Sequence, residues 1–304
     1  PDFLGALAKG LSNLGVRYIK LDRRQEALAP IEEAVRITHE LARINPAFLQ
    51  DLATALTNKG NLYSELGLRS EALQPTLEAV KLLRELARTN PAFMPDLATA
   101  LYNLGIRYSE LGNPNAALPL LRDAVSSEVT YLQAQLPFVP EARRQALVGT
   151  FGDRWQVPFS FAQQGETGAA LALNTRLNRQ GLLQDIRRNQ VLLARSGPQR
   201  PLFEQLTAIS SQQARPNLPL EEEKALLARK EQLEQELYRL LPQVKPRLVK
   251  PEQVALRLPA DGVLVEFQRY RSINVGSGLF GPPRYLALVL TPKGAMHAVP
   301  LGEA

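Results

Sequence analysis

Cysteine is missing from this 304-residue chain, and histidine, methionine and tryptophan number only two, two and one. Without cysteine, disulfides, thiolate metal sites and cysteine nucleophiles are excluded within these residues. His39 and His297 are too few and too separated for a zinc site, so neither a metal nor a cofactor is expected. No apolar run approaches the roughly 20 residues of a membrane-spanning helix, and no membrane partner is expected. The cytoplasm is the expected compartment, because a reducing environment needs no cysteine cross-links. Aromatic residues make up 6%, and they do not interleave with basic ones as in single-strand-binding surfaces.

The charge of +6 is concentrated: residues 136–215 hold 10 basic and 5 acidic side chains, whereas residues 1–135 hold 14 and 15. The excess lies around Arg143, Arg144, Arg176, Arg179, Arg187 and Arg188. Such a patch can meet an anionic partner, or it can be solvated helix surface and salt bridges. The second is expected here, and nucleic acid is not an expected partner.

What the chain has in abundance is self-similarity. Gly15, Gly60 and Gly105 stand 45 residues apart. Asn13, Asn58 and Asn103 precede them by two, and Tyr18, Tyr63 and Tyr108 follow by three. Asn45-Pro46-Ala47-Phe48 returns as Asn90-Pro91-Ala92-Phe93, and Pro1-Asp2-Phe3 fits the tail of the same phrase. A fixed period of this size marks a stacked repeat architecture. Because Pro1 falls in mid-repeat, the sequence reads as a piece of a longer protein.

Within a period, Leu52, Leu56, Tyr63 and Leu66 form one helical stripe, and Leu73, Leu77, Val80, Leu83 and Leu86 form a second. Gly67 suits the left-handed residue that ends a helix, and Ser70 is expected to cap the next one. The second helix should stop near Asn90-Pro91, since the residue before proline avoids helical geometry. Each period is thus an antiparallel helix pair. A glycine inside a helix costs about 1 kcal/mol relative to alanine, so three such glycines imply that something approaches closely there.

At these positions the chain resembles the tetratricopeptide repeat, whose signature is met by Leu11, Leu14, Gly15, Tyr18, Ala27, Ile31 and Ala34. The second copy departs from it at Lys59 and Thr76. The period exceeds the family's usual 34 and is closer to the long-period arrays of kinesin light chains and many bacterial proteins. The resemblance implies a mostly α fold, a solenoid of antiparallel helix pairs whose first helices line a groove for a protein or extended peptide. Groove positions would be Asn13, Asn58, Asn103, Asn61, Tyr102, Lys20, Glu65 and Glu110. The repeated asparagine amide, which both donates and accepts, has two readings: it pairs with a peptide backbone, or it ties adjacent helices together. A carboxylate-binding lysine is not evident, since Ser12, Thr57 and Tyr102 occupy its place.

Past Tyr131 the phrase decays. Residues 141–163, 166–195, 202–213 and 220–241 read as helices, punctuated by Gly149, Gly152 and Gly165, with Trp155, Phe159 and Phe161 as core. After Pro251, residues 263–267, 285–290 and 297–301 read as strands, with a turn at Lys293-Gly294. Residues 276–281, Gly-Ser-Gly-Leu-Phe-Gly, match the dinucleotide fingerprint in letters. That chemistry requires a helix to follow, and Pro282-Pro283 and a strand follow instead, so no nucleotide is expected.

The order of Leu177-Asn178-Arg179-Gln180-Gly181-Leu182-Leu183, Leu258–Phe267, Tyr285–Leu290 and Val299–Ala304 resembles the lead-in to a CHAT domain. That caspase-like family follows bacterial tetratricopeptide arrays. Its catalytic cysteine and histidine have no counterpart here: lysine fills the Pro-His-Gly slot at Pro292-Lys293-Gly294, and His297 is expected to be a strand residue. The resulting expectation is an α-solenoid followed by the truncated start of an α/β caspase-like domain. Residues 1–135 would be three repeats, 136–215 degenerate capping helices, 216–250 a connecting helix and 251–304 the CHAT-like start. The fragment would be a non-catalytic, regulatory scaffold whose partners are a groove-bound polypeptide and the missing catalytic part. The alternative is a stand-alone adaptor.

Overall fold

Six long helices follow one another in three pairs. They are α1 (Asp2–Lys20) with α2 (Arg24–Ile44), α3 (Leu49–Glu65) with α4 (Arg69–Thr89), and α5 (Met94–Glu110) with α6 (Pro114–Gln135). Further along come α7 (Glu141–Gly149), α8 (Val157–Ser160), α9 (Gly165–Arg179), α10 (Leu182–Ser196), α11 (Arg200–Gln213), α12 (Leu220–Leu240) and α13 (Pro251–Ala255). Among the described residues, three strands close the order: β1 (Leu264–Ile273), β2 (Phe280–Leu290) and β3 (Met296–Glu303). This computed structural model describes residues 2–196, 198–213, 215, 218–240, 248–274 and 280–304. Pro1, Pro216, Leu241 and the Gly276–Leu279 part of the glycine-rich phrase lie outside the described residues.

The helix-interior glycines are explained by contact. A Cβ on Gly15 would stand 2.3 Å from Ile31, one on Gly60 2.3 Å from the Thr76 hydroxyl, and one on Gly105 2.7 Å from Leu121. In each copy the glycine therefore lets one side chain of the second helix reach the backbone of the first. Ala27, Ala72 and Ala117 are fully buried beside that contact. Thr76, polar where its counterparts are Ile31 and Leu121, satisfies its hydroxyl by donating to the Ala72 carbonyl at 2.8 Å. Close approach thus moves the centre of the second-helix core onto small residues, leaving Leu73 and Leu77 half-buried.

The turns repeat as well. Gly67 and Gly112 adopt φ +78° and +75°, and Asp22 holds the equivalent place in the first copy at φ 62°. Asn45 and Asn90 end α2 and α4 in extended geometry, and their side-chain carbonyls accept from the Ala47 and Ala92 amides. Short 3-10 turns follow at Pro46–Phe48, Pro91–Phe93 and again at Leu136–Phe138, so this part of the period outlasts the Asn-Pro-Ala letters. Ser70 is not a cap: α4 starts one residue earlier, at Arg69, with no side-chain hydrogen bond at its N-terminus.

The later helices are more broken than their periodicity implies. The stretch 141–163 divides where Gly152 turns at φ +57°, and 166–195 divides where Gly181 turns at φ +77°. β1 runs six residues past Phe267. Phe280 and Gly281 open β2, so a strand and not a helix follows the glycine-rich phrase.

The chain forms two compact units. The first runs from the start to Glu128 and includes Asp153–Arg176 and Lys250–Ala304. Its sheet is antiparallel in the order β1-β2-β3, and Phe267 pairs with Ala287, which pairs with Val299. One sheet face buries Tyr270, Leu286, Leu288, Leu290 and Met296, while the other exposes Val265, Phe267, Tyr285 and Val299. His297 is an exposed β3 residue opposite Val289. The second unit comprises Val129–Gly152 and Leu177–Val249. Its core gathers Ala194, Leu206, Leu233, Leu237 and Tyr238 from α10, α11 and α12.

Candidate partner-binding face

The first helices of the three pairs, α1, α3 and α5, follow one another at one repeat's spacing, and polar side chains bond across them. Asn58 Nδ2 donates to Ser12 Oγ at 2.9 Å, from α3 to α1. Ser64 Oγ donates to Glu110 Oε1 at 2.9 Å, from α3 to α5. Arg107 also donates to Ser64, and its Nη1 reaches Glu110 Oε2 at 2.7 Å. Its Nη2 stands 3.4 Å from Asn61 Oδ1. Apart from Arg107–Glu110, these bonds span 43 to 46 residues, about one period, so a side chain at one place in a copy meets a partner in the next.

The face is closed at the third copy and open at the first two. Tyr102, Asn103 and Glu110 are buried; the Tyr102 hydroxyl donates to Glu128 at 3.1 Å. Asn103 Oδ1 accepts from Arg154 Nε at 3.3 Å, while its Nδ2 has no hydrogen-bond partner among the described residues. Arg154 precedes α8, so later chain covers this end of the array. Burial, and secondarily the Arg107 charge, lowers the pKa of its guanidinium.

Asn13, Lys20 and Glu65 are exposed, and Asn58 and Asn61 are half-buried. Glu65 pairs with Arg24 at 3.2 Å. Lys9 and Asp51 make a bridge of 3.2 Å between α1 and α3. A separate cleft of about 660 Å³ lies between α4 and α6 above Leu104 and Tyr108, with Lys81, Arg84 and Arg88 at its margin. Arg84 crosses it to Asp123 at 3.0 Å.

The tetratricopeptide-repeat family model matches residues 7–42 and 97–127. These two stretches are tetratricopeptide repeats. Residues between the two matches form the same helix pair, α3 and α4, with Lys59 and Thr76 at two of the signature's apolar places. The matched segments cover most of α2 and of α5, which supply Ile31 and Gly105 to the glycine contacts described above. Among curated proteins, none matches the chain.

Two arrangements escaped sequence reasoning. Arg154 reaches a repeat asparagine 51 residues away, and no periodicity encodes that approach. The Arg107–Glu110 pair has helical i,i+3 spacing, a signal that could have been read. The basic middle segment is largely committed to intrachain contacts. Arg143 pairs with Glu231 at 2.6 Å, Arg176 with Glu266 at 3.0 Å and Arg187 with Glu141 at 3.2 Å. Arg144 is buried and donates to Gln190 at 2.7 Å.

Among the described residues, no helix is long and apolar enough to cross a membrane.

Proposed function

We propose that the chain is a protein-interaction scaffold, the regulatory half of a bacterial caspase-like peptidase of the CHAT type acting in the cytoplasm. An extended peptide would lie across α1 and α3, touching Asn13, Lys20, Asn58, Asn61 and Glu65. Tyr102, Asn103 and Glu110 would support that floor from below. The observation that carries this reading is a tetratricopeptide face left open over two copies and closed by the chain itself at the third. Amide side chains on such a face recognise peptide backbone with little regard to sequence.

The division into repeats (1–135), capping helices (136–215), a connecting helix (216–250) and a CHAT-like start (251–304) belongs to the same proposal. The apolar face of Val265, Phe267, Tyr285 and Val299 supports it, because exposed apolar patches mark surfaces that other polypeptide covers. The catalytic part of the domain would provide that cover. Partner occupancy would reach the sheet through Arg154 and α8, since Gln156 and Ser160 accept from the β1 amides of Arg271 and Ile273 at 2.7 and 2.9 Å.

The coding sequence beyond Ala304 tests the peptidase half of the proposal. A further strand carrying Pro-His-Gly, then a cysteine strand, supports it. Their absence leaves the alternative, a stand-alone adaptor.

A further inference from the structure

The second unit contains a cavity of about 310 Å³ among α7, α10, α11 and α12. Its size lies at the small end for ligand pockets. Val191, Phe203, Leu206 and Leu237 form an apolar wall. Thr207 and Ser210 turn their hydroxyl hydrogens to the Phe203 and Leu206 carbonyls at 2.9 and 3.0 Å, so towards a ligand they can only accept.

The charges at the cavity do not cancel. Arg187 and Lys230 stand 3.2 and 3.7 Å from Glu141, and Lys230 stands 3.9 Å from the buried Glu234. Glu234 in turn accepts the Glu141 amide at 2.8 Å. Two carboxylates thus serve two cations. Arg195, the third cation on the lining, has no carboxylate within 4.0 Å among the described residues, and its guanidinium sits 5.9 Å over the Phe203 ring. One apolar wall beside an uncompensated, planar, two-pronged donor matches a carboxylate borne on an apolar body.

We propose that this cavity binds an apolar carboxylic acid, its body against Phe203 and Leu206 and its carboxylate on Arg195. The ligand is either a free aryl or branched-alkyl acid or the C-terminal residue of a peptide ending in a large apolar side chain. The proposal rests on the second unit alone and is independent of the repeat reading.

Calorimetric titration of the full chain with three probes tests it: 4-phenylbutyrate, a pentapeptide ending in phenylalanine, and the same peptide as its C-terminal amide. Saturable binding of either acid is expected, with the amide at least about tenfold weaker because it loses the charge-assisted pair. Arg195→Gln, at an exposed position, should weaken the acids by a similar factor, and Arg195→Lys by less. Binding of the peptide acid alone assigns the site to a polypeptide terminus; binding of both assigns it to the free acid class. No saturation by either acid at millimolar concentration overturns the proposal, as does equal binding of acid and amide by the native chain.

Discussion

Arg154 Nε donates to Asn103 Oδ1 at 3.3 Å, joining the segment before α8 to the inner helix of the third repeat. From there the contacts continue by way of Phe159, whose ring lies 5.9 Å from Tyr270 in β1. An asparagine that recurs in every copy has a different partner in each: solvent at Asn13, Ser12 at Asn58, Arg154 at Asn103. Arg154→Ala would leave both polar atoms of a buried amide unpaired, which costs about 1–3 kcal/mol. Hydrogen exchange should accelerate in α8 and β1, and the exposed control Arg36→Ala should leave both unchanged.

The glycine contacts make opposite predictions at neighbouring sites. Alanine gains about 1 kcal/mol over glycine in a helix interior, while overpacking costs about 1–3 kcal/mol. At Gly10 a Cβ meets nothing within 4 Å, so Gly10→Ala should stabilise the chain. At Gly60 and Gly105 the clash wins, and each alanine variant should be less stable in urea unfolding. Adding Thr76→Ala to Gly60→Ala should recover part of the loss.

Asp22 occupies a left-handed turn that glycine fills in the other two copies. That backbone costs an ordinary L-residue roughly 1–2 kcal/mol, and less for aspartate. The Asp22–Arg24 ion pair is exposed and contributes little in return. Asp22→Gly should therefore raise the thermal midpoint, and a fall would show that the ion pair matters more than the backbone.

Burial raises the Glu234 pKa above the ordinary carboxylate value, partly opposed by the Glu141 amide and Lys230. The folded chain then holds this proton more tightly than the unfolded chain. The stabilisation is full below the unfolded value and is lost as pH rises through the folded one. Glu234→Gln cannot ionise, so its stability relative to the native chain should grow as pH rises from the ordinary glutamate range. Thermal melts across that range check this; a constant difference would mean that Glu234 is not strained by burial.

How much could be read in advance follows from what sets each feature. The 45-residue period, the left-handed Gly67 and the helix stop at Asn90 depend on a few adjacent residues, and local chemistry fixes them. The need for close approach at Gly15, Gly60 and Gly105 was legible, and the partners Ile31, Thr76 and Leu121 sit at matching places in the next helix. Ser70 misled because capping residues are also common inside a first turn. The closure of the third copy was invisible, since it depends on Arg154 arriving from outside the array. For the same reason the burial of Tyr102, Asn103 and Glu110 could not be anticipated from their resemblance to groove positions.

The central claim is an open peptide-binding face on α1 and α3. A peptide selected from a random display library against the whole chain tests it most directly, with its footprint mapped by hydrogen exchange. Protection should fall on α1 and α3, and Asn13→Ala with Asn58→Ala should weaken binding by roughly tenfold, about two lost hydrogen bonds. Protection confined to the cleft between α4 and α6, with affinity unchanged in that double variant, would contradict the account.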